Sequence, residues 1–314
     1  MAEVQKRGVL HCGTNGELPG FSSVDREGRW SGFDVDLCKA VAAAVLRDVN
    51  KVKYIPATAN NRFDMLRSGQ IDVLARNTTI TLRRTAGTGV RFAAVTFFDG
   101  QAFVVPKRLN ISTLVALDGK RVCITRGTTY EENTAEWFSL RKLAVTPVLF
   151  DTTQSTIEAF LSGACDAVTH QSTGLATAII ATGKAADYQV LPTLISKEPH
   201  GPYVRSGDDV WQDVVRWAHN ARLEAEELGV TSLNVEQRVR NTTDPETRRL
   251  LGLDPGNGKA LGLDEEWAIR IIKHVGNYGE SYEKYFGSGS PLRFARGANA
   301  LWTHGGLLYS LPMR

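Results

Sequence analysis

The sequence feature that most constrains the fold is a Ser-Gly-x-x-Asp segment that occurs twice. The first copy begins at Ser68 and the second at Ser162. In each copy the pattern predicts a helix end, a glycine, a short apolar strand and then a cluster of polar residues. Alignment of the copies places Asn77 and Gln171 at equivalent positions. A chain that builds the same strand end twice can place two polar clusters face to face across a cleft between two lobes.

The segments that open the two halves of the chain also resemble each other. They are Gly8-Val-Leu-His-Cys-Gly-Thr14 and Lys120-Arg-Val-Cys-Ile-Thr-Arg-Gly-Thr128. Each apolar run leads into glycine and threonine, whose backbone N–H groups and hydroxyls can bind an anion. In open α/β sheets, ligands bind beyond the carboxyl ends of the strands. Strand–glycine turns occur in every α/β fold, but two paired sets in the same order favour a two-lobed α/β fold with a central cleft.

The order of the predicted elements divides the chain into two lobes joined by two crossovers. We expect residues 1–99 and 205–314 to form lobe 1, residues 104–198 to form lobe 2, and the hinges to lie near 99–104 and 198–205. The segment from Lys197 to Pro202 contains two prolines and a glycine, which suits an extended return crossover. Ligand binding is expected to close the lobes by a hinge motion.

Several helices are predicted from the spacing of apolar residues. Asp34 is expected to cap a helix that runs to about Val49, and Asn60 to cap a short helix that ends at Gly69. Residues 208–228 predict a long amphipathic helix. The tail, residues 287–314, contains too many apolar groups to be simply disordered, so we expect it to pack on the surface.

Length and charge exclude some classes of protein. A chain of 314 residues with 42% hydrophobic and 23% charged residues is typical of a soluble protein with two domains. The net charge of +3, with no long basic run, argues against nucleic acid or an anionic membrane as partner. No apolar stretch approaches the ~20 residues that span a bilayer. No signal peptide is visible, so we expect a trimmed mature form.

Four cysteines, Cys12, Cys38, Cys123 and Cys165, have none of the usual zinc or redox spacings. An even count with two cysteines in each predicted lobe suits disulfides and an oxidising compartment. This distribution predicts the pairs Cys12–Cys38 and Cys123–Cys165, which leave the hinge free. The alternative is four buried free thiols, which are common in protein cores.

Arg84 is the first candidate for ligand binding. A guanidinium presents a rigid fork of donors that fits a carboxylate. Asn77 and Thr79 precede it at the polar end of a predicted strand. The alternative is a surface arginine paired with a local acid, but the equivalent polar cluster on the other lobe favours a binding site.

These features resemble a known family, the periplasmic solute-binding proteins of ABC amino-acid importers of the general or polar amino-acid type. The resemblance covers essentially the whole chain. It includes an extra helical insert, about residues 230–275, and the closing helix 276–287. Its motifs are Gly32-Phe-Asp-Val-Asp-Leu37, Ser68-Gly-Gln-Ile-Asp72, Thr79-Ile-Thr81 leading to Arg84, Arg126-Gly-Thr-Thr129 and Cys165-Asp-Ala-Val168.

The resemblance implies a function and a set of roles. The protein would deliver an amino acid or related small carboxylate to the membrane permease of an ABC importer, as a periplasmic monomer without cofactor. Arg84 would bind the α-carboxylate of the ligand, helped by Thr79 and by donors around Asn77 and Thr128.

Two further positions and one departure follow from the same resemblance. Asn15, at the first strand end, would contact the ligand, and Arg62 would point toward its side chain. The family carries an aspartate, which binds the α-ammonium group, where this chain has Gln171. A glutamine can accept a hydrogen bond but carries no charge. Two ligand types therefore stay open: a carboxylate without a free ammonium, or an amino acid whose ammonium is bound by Glu17.

An enzyme is the second hypothesis, because the fold has rare relatives that dehydrate small carboxylates. The six histidines show no metal-ligand spacing, and no Gly-x-Ser-x-Gly motif is present. His170 lies next to the cleft position, so acid–base catalysis is conceivable there, but a histidine at a strand end is more often a ligand contact or a satisfied polar residue. A third hypothesis, a signalling protein that docks on a receptor, would share the cleft and differ only in its partner.

Overall fold

The computed structural model describes residues 1–314 and contains two five-stranded mixed sheets. The strands, in chain order, are β1 Leu10–Thr14, β2 Glu17–Leu18, β3 Ser22–Val24, β4 Trp30–Ser31, β5 Val52–Pro56, β6 Val73–Leu74, β7 Val90–Phe92, β8 Phe97–Asp99, β9 Gln101–Pro106, β10 Arg121–Thr125, β11 Thr146–Phe150, β12 Ala167–Gln171, β13 Tyr188–Val190, β14 Glu198–His200 and β15 Tyr203–Arg205. The first sheet has the order β5-β1-β6-β15-β7 and the second has the order β11-β10-β12-β9-β13.

The two sheets have the same directional pattern. In each sheet, two parallel pairings are followed by two antiparallel pairings. The repeated Ser-Gly-x-x-Asp segments lead into equivalent strands, β6 and β12. The predicted two-lobed α/β architecture is confirmed.

The chain passes between the sheets twice. After β7 it runs through β8 into β9 of the second sheet, and it returns through β14 to β15 of the first. The two crossing segments pair with each other, because β8 and β14 form a two-stranded antiparallel ladder with Glu198 opposite Asp99. This ladder joins the lobes behind the cleft.

Helices cover the sheets and build the insert and the tail. They are α1 Ala2–Arg7, α2 Phe33–Leu46, α3 Arg62–Ser68, α4 Leu82–Thr85, α5 Thr129–Ser139, α6 Thr153–Leu161, α7 Ser172–Ala181, α8 Asp209–Glu227, α9 Val235–Asn241, α10 Pro245–Leu250, α11 Asn257–Ala260, α12 Trp267–Val275 and α13 Tyr278–Tyr285. The apolar faces of α2, α8 and α12 share one buried core with β1. No helix is both long enough and apolar enough to span a bilayer.

Two predicted helix caps were wrong. The cap of α2 is Gly32, at φ 137°, where a Cβ atom would lie 2.2 Å from the carbonyl oxygen of Phe21. Asp34 lies inside the helix, and its carboxylate accepts the backbone N–H of Asn77 at 2.9 Å. The helix ends at Leu46 rather than Val49. The residue before α3 is Asn61, not Asn60, and its side chain forms no capping bond.

The tail packs on the first lobe and reaches the hinge. Leu301 and Leu308 are buried in an aromatic cluster with residues of α13. The side chain of Asn299 accepts the N–H of Phe98 at 2.7 Å and donates to the carbonyl of Phe98 at 2.9 Å. Strand β8 of the hinge is therefore clamped from outside by the C-terminal segment.

Both predicted disulfides are present. Cys12 pairs with Cys38, which links β1 to α2, and Cys123 pairs with Cys165, which links β10 to the start of β12. No free cysteine remains. Each bond lies within one lobe and none crosses the hinge.

We predict that each disulfide stabilises its lobe without affecting hinge motion. The closed loops span 26 and 42 positions of sequence, for which loop-closure entropy predicts about 3 to 4 kcal/mol each. Urea unfolding of the Cys12→Ala, Cys38→Ala and Cys123→Ala, Cys165→Ala double variants should show this loss. An unchanged free energy of unfolding in both double variants would contradict the prediction.

Candidate functional site

A small cavity lies between the lobes, at the polar strand ends. Its volume is about 20 Å³, room for about one water molecule. The first lobe supplies Arg62, residues 76–79 and Arg84, and the second supplies residues 128–130, Thr153 and His170. The strand ends that carry these residues follow β6, β10, β11 and β12, as expected where equivalent parallel strands end at the same edge.

Direct contacts hold the lobes together around this cavity. The Nδ2 of Asn77 donates to the Oε1 of Gln171 at 2.8 Å. Arg62 donates to the carbonyl of Gly127 at 3.3 Å, and at the rim Arg83 pairs with Glu132 at 2.9 Å. Since the cavity is far smaller than an amino acid, the lobes must separate before such a molecule can enter.

A wider space lies outside the inner cavity. It measures about 630 Å³ and is lined by residues 81–84 of the first lobe and residues of the Gly127–Glu132 segment of the second. Arg84, Thr128 and Thr129 line both spaces. Arg84 therefore stands where the inner cavity meets the mouth of the cleft.

Three arginines dominate the electrostatics of the inner cavity. Arg62 and Arg76 are only 3% and 5% exposed. Each guanidinium makes one hydrogen bond with the protein, to a backbone carbonyl: Gly127 for Arg62, Ala57 for Arg76 and Thr79 for Arg84. None of the three pairs with a carboxylate, and no acidic side chain lines the cavity.

Burial disfavours the positive charge of the Arg62 and Arg76 guanidinium groups. It lowers the pKa of Arg62, which the neighbouring charges of Arg76 and Arg84 lower further. It also lowers the pKa of Arg76 to about 10. Behind the cavity, burial raises the pKa of Asp34 to about 7, so this carboxylate offsets the arginines only in part.

The wall from the second lobe is neutral and polar. His170 is buried against the ring of Tyr130, with ring centroids 4.7 Å apart. Burial, and then the charge of Arg76, lower the pKa of His170 to about 3, so the imidazole is uncharged at neutral pH. Its Nδ1 has no partner. Thr129 and Thr153 are the first residues of α5 and α6, and helix N-termini favour negative charge.

The structure places the nine predicted ligand-binding residues in two groups. Six of them line the cavity: Arg62, Asn77, Thr79, Arg84, Thr128 and His170. The other three do not. Asn15 is buried at the end of β1, Gln171 is buried behind its contact with Asn77, and Glu17 is exposed on β2.

Five residues that line the cavity were not predicted from the sequence: Arg76, Thr78, Thr129, Tyr130 and Thr153. The threonines could have been found because each lies within or directly after a polar strand end. Arg76 also carried a signal: it is the lone charged residue at the end of a buried apolar strand.

A buried carboxylate joins the hinge to both lobes. Glu198, only 1% exposed, begins strand β14. It accepts the hydroxyl of Thr79 from the first lobe, and the Thr129 hydroxyl at 3.1 Å and the Asn133 amide at 3.0 Å from the second. Ser196 also donates to it, at 2.7 Å. No group of histidine, cysteine and acidic side chains is arranged to hold a metal ion.

Comparison with known proteins identifies this architecture. Residues 10–288 match the family described as bacterial extracellular solute-binding proteins, family 3. The chain belongs to this family. The predicted periplasmic location agrees with the description of this family as extracellular. Its members are solute-binding proteins rather than enzymes, so the dehydratase hypothesis is not supported.

Several family 3 proteins are similar over their full length. The general L-amino acid-binding periplasmic protein AapJ of Rhizobium johnstonii is 45% identical, covering 100% of this chain and 92% of the relative. The glutamate/glutamine/aspartate/asparagine-binding protein BztA of Rhodobacter capsulatus is 46% identical, covering 99% and 92%. A solved periplasmic binding protein from Brucella ovis with glutathione bound is 46% identical, with a TM-score of 0.97, covering 100% and 98%.

We predict that the hinge carboxylate stabilises the fold of this family 3 protein. Glu198→Ala would leave buried donors from both lobes unpaired, and we expect it to lower the free energy of unfolding by about 2 to 4 kcal/mol. Glu132→Ala is the matched control, because Glu132 is 64% exposed in its pair with Arg83, and exposed pairs contribute about 0 to 1 kcal/mol. Equal losses in urea unfolding of the two variants would contradict the prediction.

Proposed function

We propose that the protein binds an amino acid, or a small carboxylate built like one, and delivers it to the membrane permease of an ABC importer. Relatives that match over the full length are named as amino-acid-binding proteins, and delivery of a bound amino acid to the permease is what such a protein does in an ABC importer. The observation that carries the proposal is the guanidinium of Arg84, which pairs with no carboxylate of the protein and lies where the cleft opens. A monomer suffices, because one chain builds both walls of the cleft.

The carboxylate of the ligand binds Arg84. One N–H of Arg84 is used by the carbonyl of Thr79, which fixes the guanidinium and leaves its other donors for the ligand. The N-terminus of α5, residues 128–130, lines the same cavity from the second lobe. A carboxylate there is contacted by both lobes, so its binding favours closure.

The lobe boundaries proposed for this motion are residues 1–99 with 205–314 for lobe 1 and residues 104–198 for lobe 2. The two sheets support this division in outline. Strand β9 begins in the second sheet at Gln101 and β15 begins in the first sheet at Tyr203, so each sheet extends two or three residues into a proposed hinge. The hinge is then the β8–β14 ladder and the residues next to it.

Neutral acceptors bind an ammonium group if the ligand has one. The Nδ1 of His170 and the Oδ1 of Asn77 are buried without partners. Glu17, the other candidate, is exposed on β2 and does not line the cavity. Gln171 contacts two residues that line the cavity: its Oε1 accepts from the Nδ2 of Asn77 at 2.8 Å and from the hydroxyl of Tyr130 at 3.5 Å.

We expect Arg84→Ala to weaken binding severely. Loss of a buried charge pair costs about 2 to 5 kcal/mol, a factor of tens to thousands in affinity. Calorimetry should use refolded protein, freed of co-purified ligand, with the L-amino acids and glutathione as probes. The best wild-type binder is then measured with each variant.

Arg249→Ala is the matched control for Arg84. Arg249 lies in the helical insert and faces Glu246 at 3.9 Å, away from the cleft. Its removal should leave affinity unchanged. Full affinity in Arg84→Ala would refute the assignment of the site, and no binding of any probe by the wild-type protein would count against the function.

Gln171→Asp should shift preference toward ligands that carry an ammonium group. The new carboxylate would attract an ammonium and repel a second acid buried nearby. We expect the ratio of affinities for L-glutamate and glutarate to rise by about 10-fold or more. Gln237→Asp, which adds the same charge at an exposed position of α9, is the control. An unchanged ratio in Gln171→Asp would show that position 171 does not face the amino group.

A further inference from the structure

We propose that Arg62 and Arg76 form a second anion subsite, so that the preferred ligand carries two acid groups. This rests on the proposed function and deepens it: one acid group binds Arg84 near the mouth, and the other binds the arginine pair inside the cleft. The ligand class is an acidic amino acid or a related dicarboxylate. Arg76 has no role in the predicted site, and its part in binding follows from the structure alone.

The first argument is the number of donors that the protein leaves unused. A guanidinium can donate several hydrogen bonds, and Arg62 and Arg76 each make one with the protein. The Nε of Arg62 is buried and has no partner. Buried donors are normally satisfied, and an unsatisfied one is costly. A carboxylate with two oxygens would accept from both arginines.

The second argument is the balance of charge. Arg62, Arg76 and Arg84 all line the cavity, and no carboxylate side chain does. One carboxylate that acts on Arg76, that of Asp34, is buried and is engaged by the backbone N–H of Asn77. Glu17 also acts on Arg76, but from an exposed position. One ligand carboxylate would neutralise only one of the three cations.

The third argument is position. Arg84 lines both the inner cavity and the mouth, whereas Arg62 and Arg76 line the inner cavity alone. Arg62 starts α3 and Arg76 follows β6, so two separate elements of the first lobe aim their charges at the same inner space. A ligand with an acid group at each end would span from one position to the other.

A purely structural role fits these residues less well. Structural buried arginines are expected to pair with acids or to use most of their donors. Arg222 of the first lobe illustrates this, because it makes three hydrogen bonds, to Gly276, Asn277 and Ser281. Arg62 and Arg76 do not have such a set of partners.

The test compares L-glutamate, L-glutamine and glutarate by calorimetry on refolded full-length protein. Glutamate and glutamine have the same shape and differ by one charge, so their ratio measures the second subsite. We expect glutamate to bind at least about 10-fold more tightly than glutamine. In Arg62→Gln and Arg76→Gln this ratio should fall toward one. In Arg84→Gln both ligands should weaken together.

The control variant is Arg67→Gln. Arg67 lies on the same helix as Arg62 but is exposed and paired with Asp64, so the ratio should stay at its wild-type value. Urea unfolding of all variants checks that each is folded. Glutarate shows whether two acid groups suffice without an amino group.

Two results would overturn the inference. One is glutamate binding no better than glutamine, or not at all, in the wild-type protein. The other is a wild-type ratio in both Arg62→Gln and Arg76→Gln. Failure here is distinct from failure of the proposed function, because an amino acid whose binding depends on Arg84 but not on Arg62 or Arg76 would keep the function and reject the second subsite.

Discussion

Positive charge held away from water between the two lobes is the constraint on which the binding site depends. Transfer of a charged group into a protein interior is costly unless an opposite charge or several hydrogen bonds accompany it. Arg62 and Arg76 are buried when the strand ends of the lobes meet, with one hydrogen bond each. A ligand that brings negative charge removes this cost, and the energy it gains is larger in the closed cleft than in an open one. In the function proposed here, ligand recognition and lobe closure are therefore driven by the same electrostatic interaction.

The covalent links between the lobes are compatible with the proposed closure. The disulfides lie inside the lobes, and the chain crosses only through the β8–β14 ladder. Glu198 sits in that ladder and binds hydroxyl and amide groups from both sides. Because Thr79 and Thr129 also line the cavity, the hinge carboxylate holds two cleft residues in place.

The sequence predicts the architecture well because a repeated strand–turn pattern encodes the sheets directly. The Ser-Gly-x-x-Asp repeat marks β6 and β12, and the cysteine distribution predicts the two disulfides. Helix α7 was missed, since it follows β12 without a loop and begins with Ser172, Thr173 and Gly174. These residues have modest or poor helix propensity, and packing against the second sheet overrides it.

The rest of the site could not be predicted because it depends on contacts between distant residues. Asp34 has the residue type of a helix cap, yet its carboxylate accepts a hydrogen bond from the backbone N–H of Asn77, 43 positions away. Glu198 lies in a segment whose prolines indicate only a crossover, and its partners lie 119 and 69 positions away. Local sequence patterns do not contain such pairings. Arg84 was predicted from a local motif, whereas the local signal at Arg76, a charged residue at the end of an apolar strand, does not by itself indicate a role.

The two hydrogen bonds of Asn299 with Phe98 of strand β8 have a consequence for the order in which the protein folds. The second sheet consists of one uninterrupted stretch of chain, from β9 to β13, so that lobe can fold before the segments that follow it are in place. The hinge cannot be completed at that stage, because both hydrogen bonds that fix Phe98 come from a residue close to the C-terminus. The β8–β14 ladder is therefore complete only when Asn299 has docked on it, whereas the second sheet needs no residue beyond β13.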